Sequence, residues 1–369
     1  MPSPTTSTST GSGPVLHGRT APLATSSVPV SNRGLITGYP GWLTGHLFRR
    51  LDEVLVCPDP PAWASALDAV RWRALTAPGT TPAAPNPRID EVVEGDIRDR
   101  RAVADAMRDV DLVLHAAGII HPRRIRELYE VNREGCLCLA TSARDAGARR
   151  FVFISSNAAA GFAAPGRPMR ETDEPNPTSH YGRSKLEGEH ALWDTIAGST
   201  TEGVVLRPTT FYGPYFPQRH LKAYRLAASG RPLVIGSGRN RVSMIYIDDL
   251  VDALGQALTS PAAAGGTAFV ADNESYEWQE IFVAMGRAQD IEVKPLHLPG
   301  VVAPLCAAGD AALSALGRYS MMIHVAGEAT QHMACDAAGA RSLLGSEPQV
   351  GLYEGMRRAV TWARSEGWL

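Results

Sequence analysis

Tyr181 and Lys185 stand four residues apart in the stretch Ser179-His180-Tyr181-Gly182-Arg183-Ser184-Lys185-Leu186-Glu187. On a helix that spacing puts both side chains on one face, about one turn apart. A free tyrosine, with a pKa of about 10, is a poor acid or base at neutral pH. A nearby ammonium favours the phenolate and draws that value toward the working range. Such a pair can pass a proton to or from an alcohol oxygen. The plain alternative is a surface helix with a half-buried tyrosine and a solvated lysine. Composition speaks against it. The chain has 10 tyrosines and only three lysines (Lys185, Lys222, Lys294) beside 33 arginines. Those numbers give roughly 0.08 Tyr-x-x-x-Lys pairs by chance.

The elements that must hold this pair alternate along the chain. A short apolar strand over 34–37 runs into Thr37-Gly38-Tyr39-Pro40-Gly41-Trp42-Leu43-Thr44-Gly45, followed by a helical stretch over 46–51. Strand, glycine turn and helix form the arrangement that cradles a dinucleotide. The glycines permit close backbone approach, and the helix start faces the pyrophosphate. Further strands are expected over 91–94, 111–115, 150–155 and 203–207, with a long helix over 121–147 between the third and fourth of these five. That rhythm predicts an α/β fold with a right-handed, doubly wound parallel sheet. The second strand has two candidates. Residues 54–57 are strand-like but follow Thr44 closely, whereas 71–76 leave 52–69 as an insertion, and the second is preferred. The residue closing this strand usually reads the adenosine ribose. Asp59 would point to NAD under the first choice. Thr76 and Ala77 are neutral under the second, where Arg71 or Arg73 could meet a 2′-phosphate.

Thr37-Gly38-x-x-Gly41-Trp42-Leu43 resembles the fingerprint of the extended short-chain dehydrogenase/reductases (the NAD-dependent epimerase/dehydratase family), with Thr44 in place of the third glycine and Gly45 one position late. Val131-Asn132-Arg133-Glu134-Gly135 is similar to the family's Val-Asn-x-x-Gly. Arg207-Pro208-Thr209-Thr210-Phe211-Tyr212-Gly213-Pro214 is similar to its Arg-Pro-x-x-Val-Tyr-Gly-Pro. The resemblance covers about 33–369, with its specific motifs within 34–250. It implies a Rossmann-type cofactor domain over 33–207, with 240–272 returning to it. It also implies a smaller, mostly helical substrate-binding region over 208–239 and 273–369.

The same resemblance implies a catalytic Ser156/Tyr181/Lys185 triad. Ser156 lies just past the strand over 150–155 and 25 residues before Tyr181. Tyr181 would exchange the proton, Lys185 would hold the nicotinamide ribose and lower the tyrosine pKa, and Ser156 would orient the substrate oxygen. NAD or NADP is implied as cofactor, with NAD slightly favoured. Its binding residues would be Thr37, Gly38, Gly41, Trp42, Leu43, Asp96, Ile97, Ala116, Ala117, Gly118, Asn132, Ser155, Tyr181, Lys185 and Pro208. Substrate contacts fall on Ile119, Asn157, Thr210, Phe211 and Met244. His115 reads as a strand-end core histidine. Asp248 and Asp249 read as a helix start, where carboxylates cap free amides.

Ser156 is followed by Asn157-Ala158-Ala159-Ala160, without the Asp-Glu pair that nucleotide-sugar dehydratases carry there. Gly236-Ser237-Gly238-Arg239-Asn240-Arg241-Val242 is closer to the pattern of 3β-hydroxysteroid and sterol-carboxylate dehydrogenases than to that of epimerases. The expected reaction is therefore interconversion of a secondary alcohol and a ketone on a small organic substrate. A nucleotide-sugar epimerase is the alternative; Arg219, Arg239 and Arg241 could grip a diphosphate. A cofactor-sensing regulator without activity is the third.

The rest of the composition sets boundaries. A 44% hydrophobic and 20% charged chain of 369 residues is globular. A formal net charge of −2 offers no polybasic footprint, so neither nucleic acid nor membrane is expected as a partner. Five scattered cysteines show no Cys-x-x-Cys or zinc spacing, so no metal is expected and reduced thiols in the cytoplasm are. The apolar stretch 298–317 contains Pro299, Pro304 and Asp310 and reads as core. Residues 1–32, rich in Ser, Thr, Pro and Gly, read as a disordered tail. The resemblance also implies a homodimer through the helices over 121–147 and 179–196, with Leu128, Leu137, Leu139 and Leu192 supplying the seam.

Overall fold

The computed structural model describes residues 32–369, so the tail expected over 1–32 lies outside the described residues except for Asn32. In chain order the first half reads β1 (Arg33–Thr37), α1 (Trp42–Leu55), α2 (Ala62–Asp68), β2 (Arg71–Thr76), β3 (Ile89–Glu94), α3 (Arg100–Ala106), β4 (Leu112–His115) and α4 (Arg126–Tyr129). A π-helical turn (Glu130–Glu134) leads into α5 (Gly135–Asp145), β5 (Arg150–Ile154), α6 (His180–Ile196), β6 (Glu202–Pro208) and β7 (Thr210–Tyr212). Next come α7 (Leu221–Ala228), β8 (Leu233–Ile235), β9 (Arg241–Tyr246), α8 (Ile247–Thr259), β10 (Thr267–Val270), β11 (Ser275–Glu277) and α9 (Trp278–Arg287). The chain closes with β12 (Leu296–Leu298), α10 (Val302–Ala315), α11 (Met321–Glu328), α12 (Ala338–Leu344) and α13 (Leu352–Ser365).

Seven strands form the central sheet in the order β10-β6-β5-β4-β1-β2-β3, all parallel. Such strands are buried on both faces, and β5 is a fully buried Arg-Phe-Val-Phe-Ile run. One face packs Leu47, Phe48, Trp63 and Leu254 from α1, α2 and α8; the other packs Val103, Leu139 and Leu192 from α3, α5 and α6. The chain reverses its direction of travel across the sheet between β1 and β4. Their carboxyl ends therefore flank the crevice where open α/β sheets take ligands.

β2 is the second of the two strand candidates. Residues 54–57 instead lie at the end of α1 and just beyond it, and α2 follows, its Trp63 lying against Gly255 of α8. The helix expected over 121–147 starts only at Arg126 and is interrupted by the π turn, a feature that often marks functional sites. β9 does not return to the large sheet. It joins a three-stranded sheet of order β11-β9-β7, and only α8 and β10 of 240–272 pack with the central sheet.

Asp248 and Asp249 do begin α8, but they cap nothing there. Asp249 accepts hydrogen bonds from the backbone N–H groups of Gln349 (2.9 Å) and Val350 (3.1 Å), and Asp248 meets His46 Nε2 at 2.6 Å. They tie α8 to the C-terminal region and to α1. The stretch 298–317 is not core either. α10 packs mainly against α11 and buries only Ala303. Among the described residues no helix is long and apolar enough to cross a membrane.

Candidate active site

The turn after β1 is built for close approach. Gly38 has φ +80°, and a Cβ there would lie 2.7 Å from the Ala116 carbonyl group; one at Gly41 would lie 2.5 Å from the Gly38 oxygen. Thr44 resolves the missing third glycine. It is buried, and its hydroxyl donates to the carbonyls of Gly38 (3.0 Å) and Gly41 (3.1 Å). Gly45 faces open space, so no close packing depends on it. Thr44→Val should therefore cost about 1 kcal/mol of stability in urea unfolding, and it should weaken cofactor binding in calorimetry. Wild-type values for both would show that the hydroxyl does not hold the loop.

The Thr37 hydroxyl joins the two strand ends, lying 2.8 Å from His115 Nδ1 and accepting from the Ala117 N–H at 3.1 Å. His115 is fully buried; burial, then the Lys185 charge, drives its pKa down to about 3, so it is a neutral core residue. Trp42 donates from Nε1 to the Pro214 carbonyl at 2.9 Å and packs on Phe211 at 4.8 Å, whereas Leu43 faces the core. The Asp96 carboxylate is held below its ordinary range by Arg98, which it binds at 2.6 Å. Ile97 packs on Gly135, where any Cβ would come within 2.7 Å.

Asn132, in the π turn, is completely buried. Its Nδ2 donates to the Ile119 carbonyl (3.0 Å) and Ser184 Oγ (2.9 Å), and its Oδ1 accepts from the Ile119 N–H (2.9 Å). It thereby locks the segment after β4 to α6, beside exposed Gly118.

Ser156 follows the end of β5, Tyr181 stands in the first turn of α6, and Lys185 of the same helix reaches back to the last residue of β5. Ser179 caps α6, accepting from the Gly182 N–H at 3.1 Å. Gly182 is the contact that sequence reasoning missed: a Cβ there would lie 2.2 Å from the Ala158 carbonyl oxygen, so only glycine lets α6 reach the turn that carries Ser156. The Ser156 hydroxyl accepts from the Ala158 N–H at 3.2 Å and donates to Asn157 Oδ1 at 3.4 Å, near the Tyr181 phenol. Burial pushes the Tyr181 phenol above its ordinary pKa, with Ser156 pulling it back. Lys185 is not among the groups that act on it. Lys185 is buried, and its Nζ donates to the Ile154 carbonyl at 2.7 Å and lies 4.6 Å from the Phe153 ring centroid. Burial draws its pKa down to about 8, while Cys136 and Glu189 act in the opposite direction.

Ser155 is buried and donates to Glu189, which also binds Arg207 in bidentate fashion (3.0 and 2.6 Å). Pro208 closes β6 in the core. Of the expected substrate residues, Ile119, Asn157 and Phe211 are half-buried and Thr210 is exposed. Met244 lies in register with Thr210 but is 3% exposed and packed in the core. His180, beside Tyr181, is a further feature the sequence left unread: its Nδ1 lies 2.8 Å from the Tyr129 hydroxyl.

A glycine turn at the switch point of a seven-stranded parallel sheet defines a dinucleotide-binding α/β fold. The chain belongs to the NAD dependent epimerase/dehydratase family, which matches residues 35–271. It is therefore an NAD(P)-dependent enzyme of the extended short-chain dehydrogenase/reductase type. An uncharacterized protein, y4nL, of Sinorhizobium fredii is 36% identical over 90% of this chain and 95% of its own length. A ceramide reductase of Caulobacter vibrioides is 28% identical over 90% and 95%. A UDP-glucose 4-epimerase of Vibrio cholerae is 32% identical over 56% and 65%. The Thermus thermophilus UDP-glucose 4-epimerase solved with NAD shares the fold, at a TM-score of 0.69 and 22% identity over 90% of this chain and 99% of that one.

Proposed function

We propose that this enzyme interconverts a secondary alcohol and a ketone on an apolar organic substrate, with Tyr181 as the proton carrier. The observation that carries the reading is the aromatic surface beyond the glycine turn, where Trp42 packs on Phe211 at 4.8 Å and on His220 at 5.2 Å. Apolar walls with few placed polar groups suit hydrophobic small molecules. Arg241, a candidate diphosphate clamp, is instead engaged by Ser275, with Nε 3.1 Å from its hydroxyl. The full-length similarity to a ceramide reductase supports carbonyl reduction in the same direction.

In reduction, the Tyr181 phenol gives its proton to the carbonyl oxygen as that carbon gains a hydride. Ser156 donates a hydrogen bond to the same oxygen, and Lys185 serves the ribose. The hydride is the chemistry that a bound nicotinamide supplies. The Gly38–Gly41 turn, which the backbone contacts at Ala116 and Gly38 restrict to glycine, opens α1 and suits its diphosphate. The pyrophosphate-facing turn, with Thr37, Ala116 and Ala117 behind it, and Asp96 and Ile97 at the adenine are the remaining cofactor contacts in this reading.

NAD rather than NADP fits the ribose end. Arg71 pairs with Asp90 (2.7 Å), and Arg73 is occupied by Glu91 (2.7 Å) and the carbonyls of Ala106 and Arg108. Neither is left for a 2′-phosphate. NAD should bind at least about tenfold tighter than NADP, a gap worth roughly 1.4 kcal/mol. Equal affinities in fluorescence titration would contradict this.

The chain is further proposed to form a homodimer through α5 and α6. Leu128, Leu139 and Leu192 cannot form the seam, because they are buried within the subunit; half-buried Leu137 and Leu186 remain available. Light scattering should give twice the chain mass, and a monomer at micromolar concentration would refute it.

The second reading is a nucleotide-sugar epimerase, favoured by the partial match to the Vibrio enzyme. Calorimetric titration separates the two. UDP- and dTDP-sugars should bind no more tightly than millimolar, and micromolar binding would favour the epimerase.

A further inference from the structure

The hairpin of α10 and α11 is inside out for a protein in water. Its apolar side chains stand in solvent: Leu305 is 67% exposed, Leu316 73%, Met322 80%, Val301 61%, Val325 49% and Met321 42%. Its ionisable groups are turned inward. Asp310 meets His324 Nδ1 at 2.9 Å, and Glu328 lies 3.5 Å from His324 Nε2, all partly buried. Contiguous exposed apolar surface of this kind marks an interaction face.

Arginines border that face. Tyr319, in the loop joining the two helices, stacks on His121 at 6.2 Å, with its hydroxyl 3.4 Å from His121 Nδ1. His121 opens the run Pro122-Arg123-Arg124-Ile125-Arg126, in which all three arginines are exposed, as is Arg318 beside Tyr319. Among the described residues, Arg123, Arg124 and Arg318 take part in no ion pair, and Arg126 reaches Glu130 only at 3.5 Å. The chain's even net charge hides this local cluster.

We propose that the α10–α11 hairpin docks the enzyme on an anionic lipid surface, its apolar side chains entering the headgroup boundary and the flanking arginines meeting lipid phosphates. Apolar insertion combined with a basic border is what holds peripheral proteins on such membranes. A second copy of the chain fits less well, since a two-fold pairing through this face would bring like-charged borders together. Docking does not depend on the substrate. If the proposed reaction holds, Ile120, 47% exposed and next to His121, extends the apolar surface toward Gly118 and the crevice. An apolar substrate could then pass from bilayer to site.

Sedimentation with phosphatidylcholine vesicles, with and without phosphatidylglycerol, tests the proposal. The full chain should sediment with the anionic vesicles, and added salt should weaken the association. Leu305→Glu combined with Met322→Glu, and separately Arg123→Glu combined with Arg124→Glu, should each reduce binding by about tenfold or more. NAD affinity and the circular dichroism spectrum should stay at wild-type values, which excludes misfolding. The proposal is overturned if the wild-type chain stays in the supernatant, or if the Leu305/Met322 variant sediments as well as wild type. It is equally overturned if that variant only lowers the oligomeric mass and vesicles capture neither protein, which would give the face to a second copy.

Discussion

Tyr181→Phe should lower turnover by about 10²–10⁴-fold, or roughly 3–5 kcal/mol of barrier, because it removes the proton carrier and leaves the ring in place. Cofactor affinity should hardly change. The raised phenol pKa adds a sign to the pH profile. Reduction uses the protonated phenol, so its rate should hold through neutral pH and fall only at high pH. Oxidation uses the phenolate, so its rate should climb as pH rises. Lys185, with its pKa drawn down to about 8, loses its charge as pH rises through that value, which should weaken its hold on the ribose hydroxyls in the same range. Stopped-flow rates in both directions would check this, and near-wild-type turnover of the Phe variant would remove Tyr181 from the chemistry.

Glu189→Ala should destabilise the fold by about 3–5 kcal/mol, a large share of the roughly 5–15 kcal/mol that holds a domain together. Glu189 is 2% exposed and Arg207 5%, and the carboxylate satisfies both Arg207 and Ser155. Deleting it leaves a buried guanidinium without its partner. Replacing both residues with apolar ones of similar volume should recover much of the loss, since a buried pair contributes little net stability over hydrophobic packing. Urea titrations of the single and double variants would measure this, and a single-variant loss below about 1 kcal/mol would contradict it. Arg207 stands just before Pro208, the last residue of β6, and Phe211 follows in β7, so the variant should also loosen the packing of Phe211 on Trp42.

Periodicity and apolar runs made the central sheet legible. A run such as Phe151-Val152-Phe153-Ile154 can satisfy its burial only as an inner parallel strand. The glycine turn and the Tyr181/Lys185 spacing were legible for the same local reason. What was not legible depends on residues far apart in the chain. Gly182 matters because the carbonyl of Ala158, 24 residues earlier, occupies the space where its Cβ would be. Asp249 sits at a helix start, where sequence alone suggests a cap, but its amide partners lie 100 residues on, at Gln349, and at Val350. An apolar helix position looks the same whether it meets its own core, as Leu128, Leu139 and Leu192 do, or another subunit, for which Leu137 remains available. The same ambiguity made 298–317 read as core when the structure exposes it.

The most direct test of the central claim is redox stoichiometry. The enzyme would be incubated with NADH and a panel of apolar ketones, including hydroxysteroid precursors and long-chain aliphatic and aromatic ketones, while nicotinamide absorbance and product are followed together. An alcohol–ketone oxidoreductase consumes one NADH for each alcohol formed, and Tyr181→Phe lowers both signals in parallel. Conversion of a nucleotide sugar to its epimer, with nicotinamide absorbance unchanged and no turnover of any ketone, would contradict it.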